Sequence, residues 1–302
     1  VPALPKLAPD LLRAHHVLVP TDNAFQQRAR LAQALWRERE GHPIGLHRGE
    51  PLGSLIELEY GKRTLANFMT ETIRGVVQHD VLGPGRDPDA LINANRLFAN
   101  LLSSQPLCFN LFGELARDSD LATRVMRVMS PGRIGRVTKI LFEHSPGRRD
   151  PRFTGDRSAF DVFVEYASPA GKRGFFGIEV KYHEALNDAP AEHRARYDEL
   201  ADRMGIFPAD RAALKAKPLQ QIWRDHLLAG AVLHGGLGYD EGAFVFLHPE
   251  GNAACAKAVA AYRSQLRETD TFTAWTLEQV FAAIRSTGAT WIDAVEQRYR
   301  VA

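Results

Sequence analysis

The sequence predicts an α/β protein, with a mostly helical N-terminal region over residues 1–130 and, over 131–302, strands layered with helices. Three observations carry this. Apolar residues recur at helical spacing through most of the first 130 positions. From Arg136 the texture changes to short runs rich in aromatic and β-branched residues, the most strongly patterned being 158–184. Beyond that stretch, helical segments alternate with short apolar runs, the order expected of a layered α/β fold.

Taken in order, residues 1–20 are rich in Pro and Leu and predict no definite element. Residues 22–40 form an amphipathic helix whose buried stripe would be Phe25, Leu31, Leu35 and Trp36. The Gly, Pro and His residues of 41–53 end it. Further helices are expected over 65–78 and 89–103, and 104–130 is also helical in texture. Glu57 and Glu59 read as solvated glutamates. A strand is expected over 137–143, then a Pro- and Arg-rich loop, then the two strands of 158–184. Helices follow over 191–204, stopped by Gly205, and over 218–234, started by Pro218 and stopped by Gly235-Gly236. A buried strand over 243–248, a helix over 252–266 and a short strand over 271–275 come next. Thr276 and Gln279 then make a capping box for a helix carrying Val280, Phe281 and Ile284.

Composition narrows the classes. With 302 residues, 45% hydrophobic and 25% charged, the chain is ordinary for a soluble protein and long enough for a sizeable core. Two distant cysteines, Cys108 and Cys255, fit neither a disulfide framework nor a thiolate metal site and suit a reducing compartment, so a cytoplasmic location is expected. No apolar run is long enough to span a membrane, and no signal-peptide pattern opens the sequence. No Gly-rich phosphate loop of the Walker or Rossmann kind is present, since G-P-G-R at 83–86 and G-L-G at 236–238 are turns. The net charge of +2 says little, but its distribution is uneven. Arg133, Arg136, Lys139, Arg148, Arg149, Arg152 and Arg157 face only Glu143, Asp150 and Asp156, which fits either an anionic partner or a solvated loop.

In the stretch 158–184, Asp161, Phe163 and Glu165 alternate with Phe160, Val162, Val164 and Tyr166. In its second half Gly177, Glu179, Lys181 and His183 alternate with Phe176, Ile178, Val180 and Tyr182. Side chains alternate across a strand, so a hairpin closed around Ala170 would put Asp161 opposite Glu179 with Lys181 one step along the same face. Gly177 would leave open space beside Glu179. Two carboxylates on adjacent strands can seat Mg²⁺, a hard ion that takes oxygen ligands, and the Val180 carbonyl could add a ligand. A lysine beside a metal-bound water and a phosphate can hold the water and stabilise charge on phosphorus. Cross-strand ion pairs on a solvated face would use the same residues.

Asp161 followed eighteen residues later by Glu179-Val180-Lys181 resembles the PD-(D/E)XK nuclease superfamily, the restriction-endonuclease-like fold. The runs E-H-S-P-G-R-R-D-P, G-D-R-S-A-F-D and G-I-E-V-K-Y-H-E look like an uncharacterised bacterial subgroup of it. The stretches S-S-Q-P-L-C-F-N-L-F-G and Q-Q-I-W-R-D-H-L-L are similar to the same subgroup. The likeness covers about residues 95–250. One departure is Phe160 where the motif's name has proline. The resemblance implies a mixed central sheet flanked by helices, with Asp161 and Glu179 holding Mg²⁺ (or Mn²⁺ in its place) and Lys181 assisting the attacking water. It also implies a further acid from a preceding element, for which Glu143 is the candidate, the alternative being a surface glutamate. On the helix after Glu179-x-Lys181, Gln220 and Arg224 form an i, i+4 pair able to reach one surface, either as phosphate or base contacts or as plain surface around Leu219, Trp223 and Leu227. Arg148, Arg149 and Arg157 suit phosphate contacts.

The expected function is therefore Mg²⁺-dependent hydrolysis of nucleic acid, DNA foremost, with a homodimer suited to cutting both strands. The alternative is a module of the same fold, weakly active or inactive, that binds nucleic acid or a protein partner.

Overall fold

The computed structural model describes residues 5–86 and 90–301. A short helix, α1 (Pro9–Ala14), precedes α2 (Ala24–Arg39), which opens with a capping box between Asn23 and Gln26. In α2, Phe25, Leu31 and Trp36 are buried as expected, but Leu35 is 45% exposed. Ala29, Gln33 and Ala34 complete the buried face instead, Gln33 being held there by hydrogen bonds with Tyr182 and Arg298.

Segment 41–53 does more than end the helix. It begins an antiparallel hairpin, β1 (Ile44–His47) and β2 (Glu50–Ile56). The two-residue turn uses Arg48 and Gly49, both at positive φ (54° and 89°), as a tight hairpin requires. The helix expected over 65–78 is two helices, α3 (Leu58–Thr64) and α4 (Glu71–Val77). Leu65 ends the first in a left-handed conformation, and the Thr70 side chain caps the second. Glu57 is the cap of α3, accepting from the Glu59 and Tyr60 amides. In the helix expected over 89–103, Asp89 lies outside the described residues, and only the π-helical turn Asn95–Ala99 forms. Two helices fill the rest of the N-terminal region, α5 (Ser104–Arg117) and α6 (Ser119–Met129).

The central sheet has the order β3 (Arg136–His144), β4 (Phe160–Ala167), β5 (Arg173–Val180), β6 (Glu241–His248), β7 (Phe272–Thr276). The first three run antiparallel, and β5, β6 and β7 run parallel, so the sheet is mixed. Parallel pairing requires crossovers, which α7 (Ala195–Met204) and α8 (Gln220–His234) supply before β6 and α9 (Ala253–Arg263) before β7. The expected capping box of Thr276 and Gln279 opens α10 (Leu277–Arg285), and α11 (Ile292–Tyr299) closes the chain.

Both faces of the sheet are covered. Val162, Val164, Phe176 and Ile178 join α5, α6, α10 and α11 in one core, while Phe163, Phe175, Phe244 and Phe246 join α7, α8 and α9 in the other. This is why the strands read as nearly continuous apolar runs. Gly177 does not leave open space beside Glu179. The Phe160 ring occupies it, and a Cβ on Gly177 would stand 2.4 Å from Phe160 Cε1.

A buried arginine ties the chain's two ends together. Arg298, 1% exposed, lies over the Trp36 ring at 3.8 Å and over the Tyr299 ring at 4.7 Å. Its guanidinium donates to Gln33 Oε1 at 3.1 Å, to the Asn67 carbonyl at 2.8 Å and to Asn67 Oδ1 at 2.5 Å. Gln33 in turn donates to the Tyr182 hydroxyl, just beyond β5. Stacking on aromatic faces and hydrogen bonds from all three guanidinium nitrogens make this buried charge tolerable.

Two predictions follow from this packing. Arg298→Met strands two buried acceptors, Gln33 Oε1 and Asn67 Oδ1, while the Asn67 carbonyl keeps the Asn110 amide as donor, and should lower unfolding free energy by about 3 kcal/mol, read by urea denaturation. Gly177→Ala overpacks the Phe160 ring and should destabilise by about 1–3 kcal/mol, and the added change Phe160→Ala should make the Gly177→Ala step nearly neutral in a double-mutant cycle.

Candidate active site

Strand register assembles the site. Val162 pairs with Ile178 and Phe163 with Gly177, so the hairpin centres on residue 170 and Asp161 stands across from Glu179. On the other side, Phe142 pairs with Val162 and His144 with Phe160, which puts Glu143 across from Asp161. Three acids thus form a row over β3, β4 and β5. At Glu143 the backbone adopts φ 50°, a left-handed conformation that a non-glycine residue rarely takes and that costs about 1–3 kcal/mol.

Each side chain is held. Asp161 Oδ2 accepts from the Val180 amide at 2.7 Å. Glu179 Oε1 accepts from Lys181 Nζ at 2.6 Å and from Gln221 Nε2 at 2.7 Å. Glu143 is buried rather than on the surface, and its Oε1 accepts from Gln105 Nε2 at 2.8 Å. Gln105 also donates to the Leu91 carbonyl, so the first turn of α5 fixes the third acid.

Charge dominates the site. Burial, then the charges of Glu179 and Glu143, pushes the Asp161 carboxyl well above its usual range. Burial also pushes Glu143 up to about 7, with Glu179 adding to it, against the opposing pull of the Gln105 hydrogen bond and the Arg96 charge. Lys181 resists burial: the carboxylates of Glu179, Glu184 and Asp161 outweigh desolvation and raise its pKa, so it remains an ammonium. Beside them Asp225 of α8 is 5% exposed, and its Oδ2 has no hydrogen-bond partner. Burial and the neighbouring Glu179 hold its carboxyl well above the usual range.

The basic residues divide. Arg224 donates to Asp156 Oδ2 at 3.2 Å and to Ser158 Oγ at 3.0 Å, and lines a cavity of about 310 Å³ that Glu179, Arg157, Lys217 and Asp225 also border. Asp156 is a hub. Burial opposes its charge, yet hydrogen bonds from Tyr197, the Ser158 amide and Thr154 hold its carboxyl well below the usual range. Arg149, exposed, sits at φ 60° in the loop before β4, while Arg148 beside it is half-buried. Gly147 (φ 62°) packs under the Phe153 ring in that loop and leaves no room for a Cβ.

Gln220 and Arg224 do not share a task. The Gln220 amide is buried, accepting from the Ala191 amide and donating to the Ala191 carbonyl, both at 2.6 Å. Gln221 is the residue that reaches Glu179. His226, further along, bonds to Tyr262 and Thr271 in the core. Spacing along α8 leaves this choice open, because whether residue 220 or 221 faces the sheet depends on how the helix is rotated about its axis.

The donor set suits a hard divalent cation. Asp161 and Glu179 offer carboxylate oxygens, the buried Asp225 Oδ2 nearby has no hydrogen-bond partner, and neither cysteine joins them. Among the described residues no three Asp, Glu, His or Cys side chains form a ready-made cage. Mg²⁺ fits that arrangement, since it uses one or two carboxylates and completes its shell with water and substrate phosphate.

Glu143 carries a pH signature. Its folded pKa lies above the ordinary 4.5, so the stability it contributes is full below about pH 4 and is lost as pH rises through 7. Glu143→Gln should therefore raise the melting temperature at pH 8, by a stability gain on the order of 2 kcal/mol in metal-free buffer, and leave it nearly unchanged at pH 4. Thermal denaturation at the two pH values checks this.

Comparison with curated proteins and with solved structures returns no match. A family model does match. Described as the PD-(D/E)XK nuclease superfamily, it covers residues 20–301 and so includes the acid row, Lys181 and the helical N-terminal region from α2 onward. The chain belongs to the PD-(D/E)XK nuclease superfamily.

Proposed function

We propose that the protein is a Mg²⁺-dependent nuclease that hydrolyses phosphodiester bonds in DNA by direct attack of water. The observation that carries this reading is the meeting of Asp161, Glu179 and the ammonium of Lys181 at the end of β5, with Lys181 Nζ 2.6 Å from Glu179. Asp161, Glu179 and the Val180 carbonyl would hold the cation, with Glu143 as the further acid. Once bound, Mg²⁺ (or Mn²⁺) supplies Lewis acidity and a water that ionises near neutral pH.

The chain's own groups do the rest. Lys181 keeps its proton, so it acts as a donor that orients the attacking water and offsets charge gathering on phosphorus. Gln221 pins Glu179 from the helix side and limits its rotation. Arg224, steadied by Asp156 and Ser158, offers a fixed guanidinium for a neighbouring phosphate, and Arg148, Arg149 and Arg157 extend positive charge from the loop before β4.

Residues 1–130 would act as a helical brace for the core over 131–302, since Gln105 reaches Glu143 and Gln33 reaches Tyr182. The cytoplasm is the proposed location, given two buried, unlinked cysteines. Among the described residues no helix is long and apolar enough to cross a membrane.

Cleavage of plasmid and single-stranded DNA with Mg²⁺ or Mn²⁺ tests the reading. Lys181→Ala and Asp161→Ala should each lower the rate by about 10²-fold or more. If the wild type binds DNA with metal present and never cuts it, the nuclease reading fails and a binding module of the same fold replaces it.

A further inference from the structure

Glu179 is tied differently from the other two acids of the row. Its Oε1 accepts both from Lys181 Nζ at 2.6 Å and from Gln221 Nε2 at 2.7 Å. Asp161 Oδ2 and Glu143 Oε1 accept one hydrogen bond each, from the Val180 amide and from Gln105. A carboxylate oxygen has about two lone-pair sites, so Glu179 Oε1 is saturated and only Oε2 is left to offer a cation. We propose that Gln221 is a positioning residue that sets ion selectivity. By filling the second site on Oε1 it confines Glu179 to one-oxygen coordination, which favours Mg²⁺ and Mn²⁺ over Ca²⁺. Such selectivity rests on the metal-dependent reading of the site and adds to it a task for Gln221.

Ion chemistry supplies the reason. Ca²⁺ takes about six to eight oxygens at about 2.3–2.6 Å and gains from carboxylates that offer both oxygens at once. Mg²⁺ keeps a tighter octahedron at about 2.0–2.1 Å, uses one or two carboxylates and fills the rest of its shell with water. A two-oxygen grip by Glu179 therefore serves Ca²⁺ and does little for Mg²⁺. Lys181 alone does not prevent that grip, because its ammonium fills one lone-pair site on Oε1 and leaves the other open. Gln221 closes it.

The fold holds this donor in place. Gln221 lies in the first turn of α8, whose rotation is set on either side of it. The Gln220 amide is bonded both ways to Ala191, and Ile222 and Trp223 are buried. A donor on a fixed helix keeps its aim better than one on a loop. Gln221 itself is exposed, so replacing it leaves the core intact. The other oxygen, Glu179 Oε2, is neither hydrogen-bonded among the described residues nor shut away from solvent, and Asp161 Oδ1 is in the same condition. Each ligand carboxylate thus keeps one oxygen tied and one open.

The test is Mn²⁺ uptake by the full chain without DNA, followed by loss of the free-ion electron paramagnetic resonance signal, with Mg²⁺ or Ca²⁺ added as competitor. Uptake needs no turnover, so it is read independently of cleavage. In the wild type, Mg²⁺ should displace Mn²⁺ at a lower concentration than Ca²⁺ does. Gln221→Met keeps the side chain's length and loses the donor, and should shift the ratio of the two competitors about 10-fold toward Ca²⁺. Gln221→Lys still donates and should keep the wild-type ratio, even where its charge weakens both ions. A general loosening of the fold weakens both alike and leaves the ratio unmoved. A wild type that prefers Ca²⁺, a ratio unchanged in Gln221→Met, or one shifted equally in Gln221→Lys overturns the selectivity while the nuclease reading stands. No Mn²⁺ uptake, or uptake that Asp161→Ala leaves intact, overturns the metal reading and the selectivity with it.

Discussion

The structure turns on an imbalance of buried charge. Glu143, Asp161, Glu179 and Asp225 gather around the end of β5 with the single ammonium of Lys181 among them. Carboxyls removed from water and facing one another resist ionising, and burial first, then the neighbouring Glu179 charge, hold Asp161 and Asp225 well above their usual range. Such an arrangement is unfavourable for the fold alone. A divalent cation would offset it, and buried carboxyls perturbed in this way cluster at functional sites.

Much of the surrounding protein serves to keep that arrangement from relaxing. The β4–β5 register sets Asp161 against Glu179, and the left-handed turn at Glu143 delivers the third acid to Gln105 on α5. Gln221 holds Glu179 from α8, and Asp156 holds Arg224 with the help of Tyr197 and Thr154. Behind β5, the Gln33–Tyr182 bond connects the strand's continuation to the buried Arg298 and through it to Asn67. The helical N-terminal region is thus bound to the sheet by polar contacts as well as by the apolar core it shares with α10 and α11.

Residues recognised in the sequence were those whose role depends on local alternation. Asp161, Glu179 and Lys181 could be placed together because strand periodicity is 2 and the turn length sets the pairing, and the closing helix could be placed by its Thr276–Gln279 box. Residues whose role depends on helix rotation or on distant partners were less legible. Spacing does not distinguish Gln221 from Gln220, nothing in the sequence marks Asp225 as buried, and Gln105 sits in a helix with no visible tie to Glu143. The hairpin at 44–56 was hidden because its turn, Arg48-Gly49, lacks the Asn or Asp that usually announces positive φ, and Gly177 gave no hint that Phe160 would fill its place.

By itself, then, the sequence determined the α/β class, the order of strands and helices from residue 137 to the helix capped by Thr276, the hairpin register and the acid-acid-lysine grouping, all consequences of short-range periodicity and capping. Tertiary structure decided that Glu143, offered by the sequence only as a candidate, joins the row, that Asp225 is left with an unmatched oxygen, that Gln221 rather than Gln220 meets Glu179, and that a cavity of about 310 Å³ opens beside them. Those outcomes depend on how a helix is rotated against a sheet and on which groups are shut away from water, quantities that pairwise spacing along a chain does not encode.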